Sequence, residues 1–120
     1  VLVLEVENIV VCGHSNCGGC RALFMSDSEL DEIPHTKKWL ELAKRAKVEA
    51  ETIVSECGDP ADYQWLVEQE NIVEQMNHLL TYPFIEERFN NGKLNIYGWY
   101  YEIGTGTVYN YNRIEQVFEI

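Results

Sequence analysis

Val10-Val11-Cys12-Gly13-His14-Ser15-Asn16-Cys17-Gly18-Gly19-Cys20 holds three cysteines, a histidine and three glycines in eleven residues. Its reading decides the fold, because two kinds of local structure meet in it. Ile9-Val10-Val11-Cys12 is a continuous apolar, β-branched run, which predicts a strand buried on both faces, as in a parallel sheet. Arg21-Ala22-Leu23-Phe24-Met25, after the glycines, predicts a helix. The stretch is therefore a strand–loop–helix corner at the carboxyl end of a strand, the place where open α/β sheets bind ligands.

The chemistry of the corner has more than one reading. His14 leaves the strand end and Cys17 follows three residues on, near the helix start. Imidazole nitrogen and thiolate sulfur both bind zinc, at ~2.0–2.1 Å and ~2.3 Å, and a short loop lets both converge on one ion. A helix N-terminus favours the thiolate form. Gly13 is expected to turn the backbone after the strand. Gly18 and Gly19 are expected to expose N–H groups at the helix start, where an anion is held. His14 and Cys17 make half of a tetrahedral site, which needs a third protein ligand and, for catalysis, an open fourth position. Cys12 reads as a buried strand thiol and Cys20 as helix packing, although a closed structural site would recruit Cys20. Cys17-Gly18-Gly19-Cys20 is also a C-x-x-C at a helix start, the position of a thiol redox pair. That reading leaves His14 and Gly13 without a use, and no thioredoxin-like ββα ending follows.

Working outward, 120 residues with 46% hydrophobic composition fit one domain or part of one. Nine basic against 20 acidic side chains give a net charge of −11, which argues against nucleic acid or an anionic membrane as the main partner. No run approaches the ~18 apolar residues of a membrane span, and no signal peptide is visible. The chain opens on Val1-Leu2-Val3-Leu4 without Met, so it reads as a segment cut from something longer, with residues 1–7 closing a helix. Three of the four cysteines are clustered, which favours a reducing compartment, the cytoplasm, over a disulfide framework.

Ser26 to Ile33 reads as an acidic loop. Trp39, Ala43, Ala46, Ala50, Ile53 and Cys57 recur at spacings of 4, 3, 4, 3 and 4, one face of a helix led by Pro34 and ended by Gly58. Leu66, Val73, Met76 and Leu80, joined by Trp65, Ile72 and Leu79, mark a second helix that Pro83 interrupts. A short helix over 84–89 stops at Asn90-Asn91-Gly92. Residues 94–103 and 107–111 around Gly104-Thr105-Gly106 predict a β-hairpin, with a further short strand over 116–120. His35 and His78 read as surface or core residues. The tyrosines at 97, 100, 101, 109 and 111 read as sheet packing or an interface.

Gly13-His14-Ser15-Asn16-Cys17-Gly18-Gly19 resembles the G-H-S-x-C-G-G signature of β-class carbonic anhydrases. Leu79-Leu80-Thr81-Tyr82-Pro83-Phe84 resembles a helix end of that family, and Gly98-Trp99-Tyr100-Tyr101-Glu102-Ile103 with Thr105-Gly106 resembles its C-terminal hairpin. The resemblance implies an α/β fold with a mainly parallel sheet flanked by helices and a C-terminal hairpin, truncated at the N-terminus, with 1–120 as a single partial domain. It implies zinc-dependent reversible hydration of carbon dioxide to bicarbonate and a proton. His14 and Cys17 would be zinc ligands, with Gly13, Ser15, Gly18 and Gly19 around the pocket. It also implies a homodimer or higher homo-oligomer. The family's other zinc cysteine and its Asp/Arg dyad lie in a C-x-D-S-R motif, and this sequence has no C-x-D-S-R. The catalytic dyad and third ligand are thus unassigned here. A non-catalytic zinc-binding or assembly segment is the alternative.

Overall fold

The computed structural model describes residues 1–56 and 58–120. It is built of four strands and six α-helices among those residues: β1 (Asn8–His14), α1 (Gly18–Ala22), α2 (Asp27–Asp31), α3 (Pro34–Leu40), α4 (Lys44–Glu56), α5 (Tyr63–Leu79), α6 (Pro83–Asn90), β2 (Asn95–Glu102), β3 (Thr107–Asn112) and β4 (Val117–Glu119). The sheet order is β1-β2-β3-β4. β1 and β2 run parallel, with Val11 opposite Gly98 and Gly13 opposite Tyr100. β2–β3 and β3–β4 are antiparallel. The α/β class and the C-terminal hairpin are as expected. The sheet, however, is mixed rather than mainly parallel, because the hairpin and β4 contribute two antiparallel pairings to one parallel one.

α5 lies across β1 and β2. Ile9, Val11 and Gly13 face it from β1, and Ile96, Gly98 and Tyr100 from β2, in matched rows. Ile72, Met76, Ile85, Leu94, Ile96 and Tyr100 form one buried cluster between α5, α6 and the sheet. Cys20, Leu23, Ala46, Ala50 and Val67 form a second, where α1 and α4 meet α5. Among the described residues no helix is long and apolar enough to cross a membrane.

Several expectations change. Among the described residues β1 is covered on one face, by α5, and it sits at the sheet's edge. Val10 is 41% exposed, and Cys12, expected to be buried, is an exposed free thiol on that bare face. Gly13 does not make the turn. It lies inside the strand, and Asn16, at φ 56°, makes the left-handed step instead, a conformation asparagine tolerates. The short helix starts earlier than Arg21, at Gly18. Residues 26–33 are not all loop: Ser26 and Glu29 form a reciprocal capping box that starts α2.

The single helix expected after Pro34 is broken by a 3-10 turn, Glu41–Ala43. Three residues at 120° instead of 100° rotate the face by about 60°. That agrees with Trp39 lying 75% exposed while Ala46 and Ala50 are buried. Residues 1–7 hold one helical turn, closed by the Glu5 N–H donating to the Val1 carbonyl at 3.1 Å. Cys57, read as core, lies outside the described residues.

Gly13 and Gly98 let α5 approach the sheet. A Cβ at Gly13 would stand 2.7 Å from Ile72 Cγ1, and one at Gly98 2.5 Å from Met76 Sδ and 3.0 Å from Ile72 Cγ2. Added volume in a tight core costs about 1–3 kcal/mol. Gly98→Ala is therefore expected to lower stability by about that amount. Gly18→Ala, with open space around the added methyl and a helical backbone, is expected to be neutral or to stabilise by roughly 0.5–1 kcal/mol. Urea denaturation midpoints check both; an unchanged midpoint for Gly98→Ala contradicts the close-packing account.

Candidate metal centre

His14 ends β1 on the sheet face turned away from α5, and its side chain is exposed. Its Nδ1 lies 2.8 Å from the Ser15 carbonyl oxygen. A carbonyl only accepts, so Nδ1 carries the hydrogen and, in the neutral ring, Nε2 keeps its lone pair free. Metal-binding histidines are commonly oriented in this way.

Ser15 fixes the strand end to β2. Its N–H donates to the Tyr101 carbonyl at 2.9 Å, and its Oγ accepts from the Ile103 N–H at 2.9 Å. The residue is 5% exposed, and these two bonds brace the corner.

Cys17 is the N-cap of α1, half-buried, and its side chain makes no capping bond. A Cβ at Gly19 would be 3.7 Å from its sulfur, so the sulfur packs against the first turn of the helix. Gly18 and Gly19 are exposed in that first turn, as expected for residues at a helix start. Cys17, Gly19, Cys20, Leu23, Leu40 and Asn71 help line a hollow of about 310 Å³. A larger cavity, about 690 Å³, opens between α4, α5 and β4 and touches neither His14 nor Cys17.

Cys20 is 5% exposed and packs with Leu23, Ala46, Ala50 and Val67, as a helix-packing residue should. Burial first, then the neighbouring Cys17 sulfur, pushes its thiol up to about 12, so it stays protonated at neutral pH. Cys12, Cys17 and Cys20 are all free thiols. His78 bonds within its own helix, with Nε2 2.9 Å from a Glu74 oxygen. Among the described residues no group of three or more His, Cys, Asp or Glu side chains is placed to hold a metal. The donor set of His14 and Cys17 suits zinc chemically, one neutral nitrogen and one thiolate, but supplies two donors.

Sequence reasoning missed Glu68. This carboxylate is 3% exposed on the sheet side of α5. Its Oε1 accepts from the Cys17 N–H at 2.8 Å and the Gln64 side-chain amide at 2.6 Å, and its Oε2 accepts from the Tyr100 hydroxyl at 2.9 Å. Burying a charge costs several kcal/mol, and a hydrogen bond to a charged group contributes about 1.5–3 kcal/mol, so the three bonds together offset the burial. A signal was available: Glu68 lies four residues before Ile72 and eight before Met76, in register with the apolar face.

The family profile described as "Carbonic anhydrase" matches residues 1–108. A carbonic anhydrase of Helicobacter pylori strain J99 is 37% identical over 116 residues, covering 95% of this chain and 52% of the relative. One from Synechococcus elongatus is 33% identical, covering 94% of this chain and 41% of the relative. Among solved structures, the beta-carbonic anhydrase CcaA superposes with a TM-score of 0.83 at 33% identity, over 98% of this chain and 57% of that one. A tetrameric beta-carbonic anhydrase of Sordaria macrospora shares the fold at a TM-score of 0.73 and 24% identity, over 92% of this chain and 54% of that one. The chain belongs to the carbonic anhydrase family, in its β class. It spans about half the length of the curated relatives it matches.

Burial, then the Glu68 hydrogen bond and the charges of Glu68 and Glu102, raises the Tyr100 phenol above its ordinary value. The folded state thus keeps a proton that the unfolded chain releases from about pH 10, so this contribution to stability is intact below about pH 10 and is lost above it. The urea midpoint is expected to fall between about pH 9 and about pH 11, and to fall less in Tyr100→Phe. An equal fall in both proteins contradicts the assignment.

Proposed function

We propose that this chain carries part of a zinc site that hydrates carbon dioxide reversibly to bicarbonate and a proton. The observation that carries the reading is the corner itself: His14 with Nδ1 committed to the Ser15 carbonyl, and Cys17 three residues on at the start of α1. His14 Nε2 and Cys17 Sγ would hold the zinc. When bound, zinc supplies a Lewis acid that makes water acidic enough to attack carbon dioxide near neutral pH.

The chain's own residues orient and shield. The Ser15 carbonyl fixes the His14 ring, Glu68 and Gln64 hold the Cys17 main chain, and the hollow beside Cys17 is largely apolar, which suits a small apolar molecule such as carbon dioxide. The third protein ligand and an Asp/Arg dyad have no counterpart in this sequence, which lacks C-x-D-S-R. The thiolate donor suits a reducing compartment, and we place the protein in the cytoplasm. Val10, Tyr97, Trp99, Tyr101 and Val108 leave an apolar sheet face about 40% exposed per residue. Such a face supports assembly into a homodimer or larger homo-oligomer.

Zinc content and carbon dioxide hydration test the reading. The chain as it stands is expected to bind zinc weakly, and hydration to appear in a form that also carries a C-x-D-S-R segment. His14→Ala is expected to lose zinc affinity by at least about tenfold and activity with it. A zinc-loaded complete form without hydration at any pH from neutral to alkaline supports the non-catalytic zinc-binding or assembly alternative. His14→Ala with undiminished zinc overturns the ligand assignment.

A further inference from the structure

We infer that Glu68 is the positioning residue of Cys17: its buried carboxylate, steadied by Gln64 and Tyr100, fixes the main chain from which the Cys17 thiolate reaches a metal. The inference rests on Cys17 being a zinc donor. The loop from β1 to α1 is short and has a left-handed residue, Asn16, at its centre. Its first residue is held by both Ser15 bonds, one to Tyr101 on β2 and one to Ile103 just beyond it. Its last, Cys17, lacks a side-chain cap and is held by α5 instead. Glu68 takes the Cys17 N–H at 2.8 Å, and Gln64, one turn earlier on the same face, donates to the Cys17 carbonyl at 3.3 Å and to Glu68 at 2.6 Å. Both polar groups of one peptide residue are thus gripped by one helix.

The acceptor is fully committed. Among the described residues none of the ion pairs involves Glu68, and both its oxygens are taken up by these hydrogen bonds. Tyr100 ties the other oxygen to β2 at 2.9 Å. Three elements, α5, β2 and the start of α1, therefore meet on one carboxylate.

Cobalt(II) is the probe, titrated into the protein and followed by its thiolate-to-metal absorption. Glu68→Ala is expected to bind cobalt about 10–100-fold more weakly, with a shifted thiolate band. Glu68→Gln keeps an oxygen for the Cys17 N–H and presents its NH₂ to the Tyr100 oxygen, so it is expected to recover to within about threefold of the native protein. Gln64→Ala, which empties no buried site, is expected to weaken binding several-fold and keeps the test open should Glu68→Ala not fold.

Hydrogen exchange of the Cys17 amide, read without metal, is expected to be protected in the native protein and in Glu68→Gln and unprotected in Glu68→Ala. Unchanged cobalt affinity in Glu68→Ala and Gln64→Ala overturns the inference, as does Glu68→Gln binding as weakly as Glu68→Ala. A native protein with no thiolate–cobalt band overturns the assignment of Cys17 as a donor, while the exchange data still report whether Glu68 holds it.

Discussion

Helix α5 rests on β1 and β2 where the strands carry no side chains, at Gly13 and Gly98. Ile72 and Met76 fill the space that two methyl groups would otherwise occupy. Everything at the corner depends on that close approach. It brings the backbone of α5 near enough for Glu68, one turn before Ile72, to reach Cys17 and Tyr100 together. It also fixes the parallel register, since Gly98 lies opposite Val11 and Tyr100 opposite Gly13, leaving the Tyr100 ring beside the glycine that makes room for α5. Interiors are packed to crystal-like density, so a helix seated this way has little freedom to slide.

Much of this was legible locally. The β-branched run before His14 and the glycines of the hairpin each act within a few residues, and the strand and the hairpin formed close to their expected places. Most of what was misread depends on neighbours distant in sequence. Cys12 is exposed because nothing among the described residues covers that sheet face, which a run of apolar residues cannot reveal. Gly13 looked like a turn residue because it precedes the loop; only the packing of Ile72 shows that its missing Cβ serves a helix met 59 residues later. The capping box at Ser26 and Glu29 was a readable local signal hidden by an acidic composition. Glu68 was hidden by its charge, since a carboxylate is expected outside unless its partners are known.

The functional corner divides into donors and braces. His14 and Cys17 are the residues proposed to offer the nitrogen and sulfur. Ser15, Gln64, Glu68 and Tyr100 set where those atoms stand. His14 and Cys17 stand out in the sequence because zinc chemistry restricts residue type and spacing. The braces do not, because any residue able to form the same hydrogen bonds from another element would serve.

The central claim is that this braced corner presents one imidazole nitrogen and one thiolate to the same metal ion. X-ray absorption at the zinc edge of the zinc-loaded protein tests it most directly. The account expects a nitrogen scatterer at ~2.0–2.1 Å and a sulfur scatterer at ~2.3 Å, with the sulfur contribution reduced in Cys17→Ser. A zinc shell of nitrogen and oxygen alone, or a sulfur contribution unchanged in Cys17→Ser, would contradict it.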